Sequence, residues 1–190
     1  MRIISGENKG KNLLTPKGKD VRPTSNKVRQ SIFNILEHNI NWSGFGGKKV
    51  IDLFAGTGGM GFEALSRGAE SVVFIDVLST ALEIIRINAK KLRISRSFIT
   101  AKCDVRKRLL QPVKGFCPAN IVFIDPPYGK NLMASSLNSL AHQGWLEEGA
   151  ICICEMEANK NLKRTAEFSV LDRRFYGNTQ VYFLKFNCRK

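Results

Sequence analysis

From Lys48 onward, the sequence alternates short apolar runs with amphipathic stretches of helical spacing. The apolar runs have the length of buried strands and lie at 50–55, 71–76, 97–101, 121–125 and 150–155. The amphipathic stretches lie at about 59–67, 80–92, 104–110 and 131–143. Because parallel strands need long crossover connections, which helices usually supply, this alternation predicts an α/β fold with a mostly parallel sheet flanked by helices.

The two ends of the chain depart from this alternation. Residues 1 to about 23 mix short apolar groups with Gly and Pro, which predicts a small hairpin arm, and a helix is predicted at about 25–38. Near the other end, two strand-like runs at 168–175 and 180–186 are joined around Gly177, which predicts an antiparallel hairpin at the sheet edge. We therefore predict a basic arm and helix over 1–40 and an α/β domain over 41–190.

The charge balance favours a polyanionic partner. Thirty Lys and Arg residues against 16 Asp and Glu residues give a net charge of +14, which suits nucleic acid best because phosphate neutralisation dominates such binding. A solvated helix face is the competing interpretation for the basic residues of the first helix. The candidate RNA-binding residues of the arm and first helix are Arg2, Lys9, Lys11, Arg22, Lys27 and Arg29.

Several classes of protein are excluded by composition. The apolar runs are strand-sized, far below the roughly 20 residues that span a bilayer. The start of the chain turns polar before a secretory signal could develop, so we predict a cytoplasmic protein with no membrane partner. The five cysteines include no C-x-x-C pair, which argues against a disulfide framework and against a metal site.

A glycine-rich turn follows the first predicted strand, where residues 52–61 read DLFAGTGGMG. Gly56, Gly58 and Gly61 have the G-x-G-x-x-G spacing that lets backbone amides and a helix N-terminus approach a nucleotide-like ligand. Asp76 ends the next predicted strand, 20 residues after Gly56, where its carboxylate can accept hydrogen bonds from both ribose hydroxyls. These features alone fit a dinucleotide equally well.

The acidic residue before the glycines argues against a dinucleotide. Asp52 would repel a pyrophosphate and attract an ammonium group. S-adenosylmethionine carries an ammonium, a ribose and an adenine without phosphate, and we predict it as the cofactor. Phe54 and Ala55, in the same turn, are further cofactor-binding candidates. Asp104, after the third strand, could accept a hydrogen bond from the adenine amine or could cap an exposed helix.

A second motif lies at 121–128, which reads IVFIDPPY. Because neither proline has an amide N–H, Asp125 and the Pro126 carbonyl remain acceptors with no competing donor from Pro126 or Pro127. Tyr128 offers a ring on which a planar base can stack. The motif predicts a catalytic site of Asp125, Pro126, Pro127 and Tyr128 that acts on an NH₂ group.

The two motifs together resemble the S-adenosylmethionine-dependent amino-methyltransferases, which have a Rossmann-like class I fold. The N-terminal segments RIISGENKGKNLLTP and RPTSNKVRQSIFNIL resemble one branch, the bacterial 16S ribosomal RNA guanine-N2 methyltransferase family of the RsmD type. The likeness covers nearly the whole chain. It implies methyl transfer to the exocyclic N2 amine of a guanine in 16S ribosomal RNA, either free or in the small-subunit particle.

The resemblance also implies roles for single residues. It places Asp52, Gly56 and Gly58 at the methionine end of the cofactor, Asp76 at the ribose, Asp104 near the adenine, and 125–128 at the target amine. This sequence departs from the family pattern at Thr57, where Ser is frequent, and at Asp76, where Glu is frequent. The shorter Asp76 must lie closer to the ribose.

Three other functions remain open on the residues alone. An adenine-N6 methyltransferase acting on DNA or RNA could use the same acid and prolines, because they accept any amine on a planar base. A nicotinamide dehydrogenase is opposed by Asp52 and by the DPPY motif. A non-catalytic basic nucleic-acid-binding module is opposed by the presence of both motifs. The identity of the base rests on the resemblance, and a monomer is favoured.

Overall fold

The structure is a computed structural model that describes residues 1–15, 26–38, 43–105, 111–127, 132–163 and 166–188. These residues form four helices and seven strands. The helices are α1 (Asn26–His38), α2 (Gly59–Ser66), α3 (Ser79–Leu92) and α4 (Leu132–His142). The strands are β1 (Lys49–Leu53), β2 (Ser71–Asp76), β3 (Phe98–Lys102), β4 (Ala119–Ile124), β5 (Leu146–Glu157), β6 (Phe168–Tyr176) and β7 (Thr179–Phe186).

The seven strands form one sheet in the order β3-β2-β1-β4-β5-β7-β6. Strands β1 to β5 are parallel, while β7 runs antiparallel between β5 and β6. The predicted mostly parallel sheet with an antiparallel C-terminal hairpin is confirmed. The strand order reverses between β1 and β4, and open parallel sheets bind ligands beyond the carboxyl ends of the strands at such a point.

The central strands are apolar on both faces because both faces are covered. Successive residues of β1 illustrate this, since Val50 packs with α1, α2 and α3 on one side and Ile51 packs with α4 on the other. Strand β5 begins at Leu146, four residues before the predicted start. The helix predicted at 104–110 lies largely outside the described residues.

The N-terminal arm is the predicted hairpin, with one antiparallel bridge between Arg2 and Asn12. Its side chains Ile3 and Leu13 are buried in the same cluster as Phe33 of α1 and Val50 of β1. The predicted boundary near residue 40 therefore does not separate two hydrophobic cores. Among the described helices, none combines the length and the apolar character that crossing a membrane requires.

Candidate active site

Three acidic side chains meet at the carboxyl edge of the central strands. Asp52 lies near the end of β1, Asp76 ends β2, and Asp125 directly follows β4. The Gly61 amide donates to Asp52 Oδ2 at 2.9 Å, and the Gly56 amide donates to Asp76 Oδ2 at 2.9 Å. Two of the three acids predicted from the sequence to bind cofactor thus hold the glycine turn at its two ends.

The glycines of this turn serve two different purposes. A Cβ on Gly61 would lie 2.3 Å from the Phe74 ring, so this glycine lets α2 pack tightly against β2. Gly56 has a φ of 52°, and apart from its chain neighbours no heavy atom of the described residues lies within 4 Å of where its Cβ would be. The space beside Gly56 is therefore open to a ligand. Gly58 also has a positive φ and lies buried just before α2.

Asp52 lies in an electrostatic environment that disfavours its charge. It is only 4% exposed, and burial raises the pKa of its carboxyl group to about 8. The hydrogen bond from Gly61 opposes this shift, while the nearby charges of Asp125 and Asp76 add to it. Burial therefore favours the protonated form of Asp52 in the ligand-free protein. An approaching cation would favour its ionised form.

This linkage predicts a pH-dependent cofactor affinity. A ligand ammonium that contacts Asp52 lowers the pKa of the carboxyl group, so binding releases a proton below about pH 8. Affinity for S-adenosylhomocysteine should rise from about pH 6 to about pH 8, by up to about tenfold per pH unit. Calorimetry in buffers of different ionisation enthalpy measures the affinity and the number of protons released on binding. An affinity independent of pH over this range, or equal pH dependence in Asp52→Asn, would contradict the assignment.

The remaining cofactor candidates occupy the same edge of the sheet. Ala55 is buried, and its amide donates to the Ile75 carbonyl at 3.0 Å, which ties the turn to β2. Phe54 has a φ of 64°, unusual for a residue with a side chain. Asp104 is half-buried just after β3. The structure therefore brings all three to the edge where the glycine turn lies, while their contacts with a cofactor stay predictions.

A surface cavity of about 150 Å³ lies on the other side of Asp125 from the glycine turn, beside the two prolines. Pro126 and Pro127 line it, and so does Glu155 near the end of β5. No local sequence pattern predicts that Glu155 lines this cavity, because it ends the predicted apolar strand 150–155, far along the chain from the DPP run. Tyr128 lies outside the described residues, so its stacking role stays a prediction. The other lining residues are Leu132, Met133, Ala134, Met156, Glu157, Lys160, Asn161, Leu162 and Lys163.

The predicted RNA-binding residues divide into two groups. Arg2, Lys9, Lys11 and Lys27 are exposed, so they are available to a polyanion. Arg29 is 1% exposed, and its Nη2 donates to the Arg2 carbonyl and to Asn26. The prediction that Arg29 contacts RNA is therefore wrong, because its guanidinium is enclosed between the arm and α1. Arg22 lies outside the described residues.

Asn88 of α3 is a positioning residue that the sequence reasoning missed. Its Nδ2 donates to the Thr57 carbonyl in the glycine turn at 3.2 Å and to the Leu14 carbonyl at 3.1 Å. Its Oδ1 accepts from the Leu14 amide at 2.7 Å. The signal was present, because Asn88 occupies a fully buried position on the apolar face of α3.

The described residues contain no group of three or more His, Cys, Asp or Glu side chains that could hold a metal ion. The five cysteines are all free thiols. Cys103, Cys152 and Cys154 are buried among apolar neighbours, as expected for packing residues.

The chain matches known proteins along nearly its whole length. The family model described as Conserved hypothetical protein 95 matches residues 1–185. The Bacillus subtilis (strain 168) protein YlbH is 34% identical over 186 residues, which are 97% of this chain and 98% of that protein. The Escherichia coli (strain K12) protein named ribosomal RNA small subunit methyltransferase D is 33% identical over 162 residues, 85% of this chain and 77% of that protein.

A solved structure supports the same assignment. The Escherichia coli protein yhhF superposes with a TM-score of 0.83 and 26% identity, over 100% of this chain and 99% of that one. The predicted Rossmann-like methyltransferase fold is confirmed. These matches show that the chain belongs to the Conserved hypothetical protein 95 family, the family of the RsmD-type methyltransferases.

Proposed function

We propose that the protein transfers a methyl group from S-adenosylmethionine to the exocyclic N2 amine of a guanine in 16S ribosomal RNA. One observation carries this proposal. Asp125 follows β4, which lies between β1, the strand of Asp52, and β5, and the two prolines after Asp125 line the cavity. A group placed there can hold an amine from the cavity against a methyl donor in the turn.

The edge of the sheet fits a cationic cofactor. Asp52, Asp76 and Asp125 lie close enough for their charges to interact, so this edge would oppose the pyrophosphate of a nicotinamide dinucleotide. The open space beside Gly56 gives room for the cofactor's methionine end. S-adenosylmethionine, when bound, supplies a methyl group activated by a positively charged sulfonium.

The chain's own residues act mainly on the target amine. An exocyclic amine conjugated to a purine is a poor nucleophile, because its lone pair is delocalised into the ring. Hydrogen bonds from both amine hydrogens to Asp125 and the Pro126 carbonyl favour the pyramidal nitrogen that reacts. Holding the amine in line with the methyl group is the larger task, since orientation can contribute roughly 7–11 kcal/mol.

The substrate class follows from the relatives and from the charge. The Escherichia coli relative is named for ribosomal RNA of the small subunit, and the net charge of +14 favours binding to phosphate. A base must leave its stack to reach the cavity, which is least costly for a loop or single-stranded nucleotide. The exposed Arg2, Lys9, Lys11 and Lys27 are proposed to hold the surrounding RNA.

The proposal is tested by mapping the methyl group. The protein is incubated with labelled S-adenosylmethionine and either 16S ribosomal RNA or small-subunit particles from cells that lack this gene. We expect one added methyl on a single guanine, and mass mapping of nuclease fragments locates it. Transfer to an adenine would overturn the choice of base. Absence of transfer to both substrates, with normal S-adenosylhomocysteine binding, would overturn the proposed function.

A further inference from the structure

An exposed aromatic ring lies at the end of the edge strand β6. Phe175 is 57% exposed, so its ring is accessible to a ligand. The Arg173 guanidinium lies 4.5 Å from the centre of this ring and 4.9 Å from the centre of the Tyr182 ring. The Phe175 ring is thus backed by a cation that is itself packed against a second aromatic residue.

The strand pairing places this ring beside the cavity. Phe175 pairs with Gln180 of β7, and Gln180 pairs with Met156 of β5, so the three side chains form one row on the same face of the sheet. Met156 lines the cavity. Because adjacent strands are about 4.8 Å apart, the Phe175 backbone lies about 10 Å from that wall. Strand β6 is also parallel to β5, so the carboxyl end of β6, which carries Phe175, lies at the same edge of the sheet as the candidate active site.

A buried amide fixes the geometry between ring and cavity. Gln180 is fully buried, and its Oε1 accepts from Arg173 Nε at 2.9 Å and Nη2 at 2.6 Å. Its Nε2 donates to the Glu157 carbonyl at 2.7 Å and also to the Lys160 carbonyl. One side chain therefore holds the cation behind the ring and the segment that forms the cavity wall.

Charge around this row suits a nucleic acid. Lys160 and Lys163 line the cavity and are exposed, beside the acidic Glu155 and Glu157. A phosphate backbone leaving the cavity would meet these cations, while the flat ring is the kind of surface on which bases stack without regard to sequence. The two lysines and the chain's net charge of +14 favour RNA as the occupant.

We propose that Phe175, backed by Arg173, is a stacking platform for a nucleotide of the RNA that flanks the target base. This proposal rests on the proposed function, because it takes the substrate to be RNA. It adds a second contact on the opposite side of the cavity from the glycine turn. The flanking nucleotide stacks on the ring while the target base occupies the cavity.

The test compares two equally exposed side chains on one strand. Phe175→Ala should weaken binding of unmodified 16S ribosomal RNA, in the presence of S-adenosylhomocysteine, by about 5- to 100-fold, whereas Phe175→Trp should restore it. Val170, 55% exposed toward the other end of β6, supplies the matched control. Val170→Ala should change RNA affinity by no more than about twofold.

Salt dependence separates stacking from phosphate contact. The loss in Phe175→Ala should persist at high salt with an unchanged salt slope, while Lys160→Ala should lower the slope by about one unit. Wild-type RNA affinity in Phe175→Ala, or an equal loss in Val170→Ala, would overturn the platform even if methyl transfer is found. An effect seen only with assembled particles would mean that the ring contacts a ribosomal protein, which also overturns it. If the wild-type protein binds RNA but transfers no methyl group, the proposed function is overturned. The RNA affinities of the variants would still show whether Phe175 is a stacking platform.

Discussion

Asp125→Ala is expected to lower methyl-transfer turnover by about 10²- to 10³-fold, the range seen when one hydrogen-bonding group of a transition state is lost. Single-turnover transfer from labelled S-adenosylmethionine to 16S ribosomal RNA measures the effect. Cofactor affinity should not fall with it. The charge of Asp125 helps to raise the pKa of Asp52, so its removal leaves more of Asp52 ionised near pH 7. S-adenosylhomocysteine should therefore bind Asp125→Ala as tightly as wild type or more tightly.

Asp125→Asn provides the matched comparison at the same position. It keeps one acceptor oxygen but loses the charge and brings in an NH₂ donor, so its turnover should lie between those of Asp125→Ala and wild type. Turnover in Asp125→Ala equal to wild type would show that Asp125 does not act on the amine. A large fall in cofactor affinity in both variants would instead place Asp125 in the cofactor site.

The strands, helices and motifs were predictable because their signals are local. A strand followed by a glycine turn and a helix needs only the residues from Asp52 to Gly61, and the DPP run is equally compact. Sheet topology then brings Asp52, Asp76 and Asp125 to one edge, since parallel strands end on the same side. The sequence pattern alone therefore predicts that the acids at the ends of β1, β2 and β4 lie close together.

The contacts of the arm could not be predicted in this way. Arg29 has the sequence context of a solvated helix residue, yet it is buried because the arm folds over it. Glu63 lies in a short helix and forms its contacts with residues 58 and 59 positions earlier in the chain. The position of Phe175 relative to the cavity depends on its pairing with Gln180 of β7. Such long-range partners are set by packing, which local periodicity does not encode.

One buried carboxylate accepts two of the hydrogen bonds that hold the arm. Glu63 of α2 is fully buried, and its two oxygens accept from the Ile4 amide at 2.8 Å and the Ser5 amide at 3.0 Å. The same carboxylate pairs with Arg67 Nε at 2.9 Å, and its charge also acts on Arg29. Removing it would leave the two backbone amides without their acceptor and would leave Arg67 with Glu37 as its remaining ion-pair partner.

Glu63→Ala is therefore expected to lower the free energy of unfolding by about 3–5 kcal/mol, the usual effect of removing one partner from a buried ion pair. For a chain of this size that corresponds to a fall in Tm of roughly 6–20 °C, measurable by thermal or urea unfolding. Glu83→Ala, at an exposed position of α3, is the control and should shift stability by no more than about 0.5 kcal/mol. A Glu63→Ala protein as stable as the control would show that the arm is held by its apolar contacts through Ile3 and Leu13 instead. If the carboxylate is needed to hold the arm, limited proteolysis of Glu63→Ala should cleave within residues 1–15 well before it cleaves the sheet, because the arm loses two hydrogen bonds while β1 to β5 keep theirs.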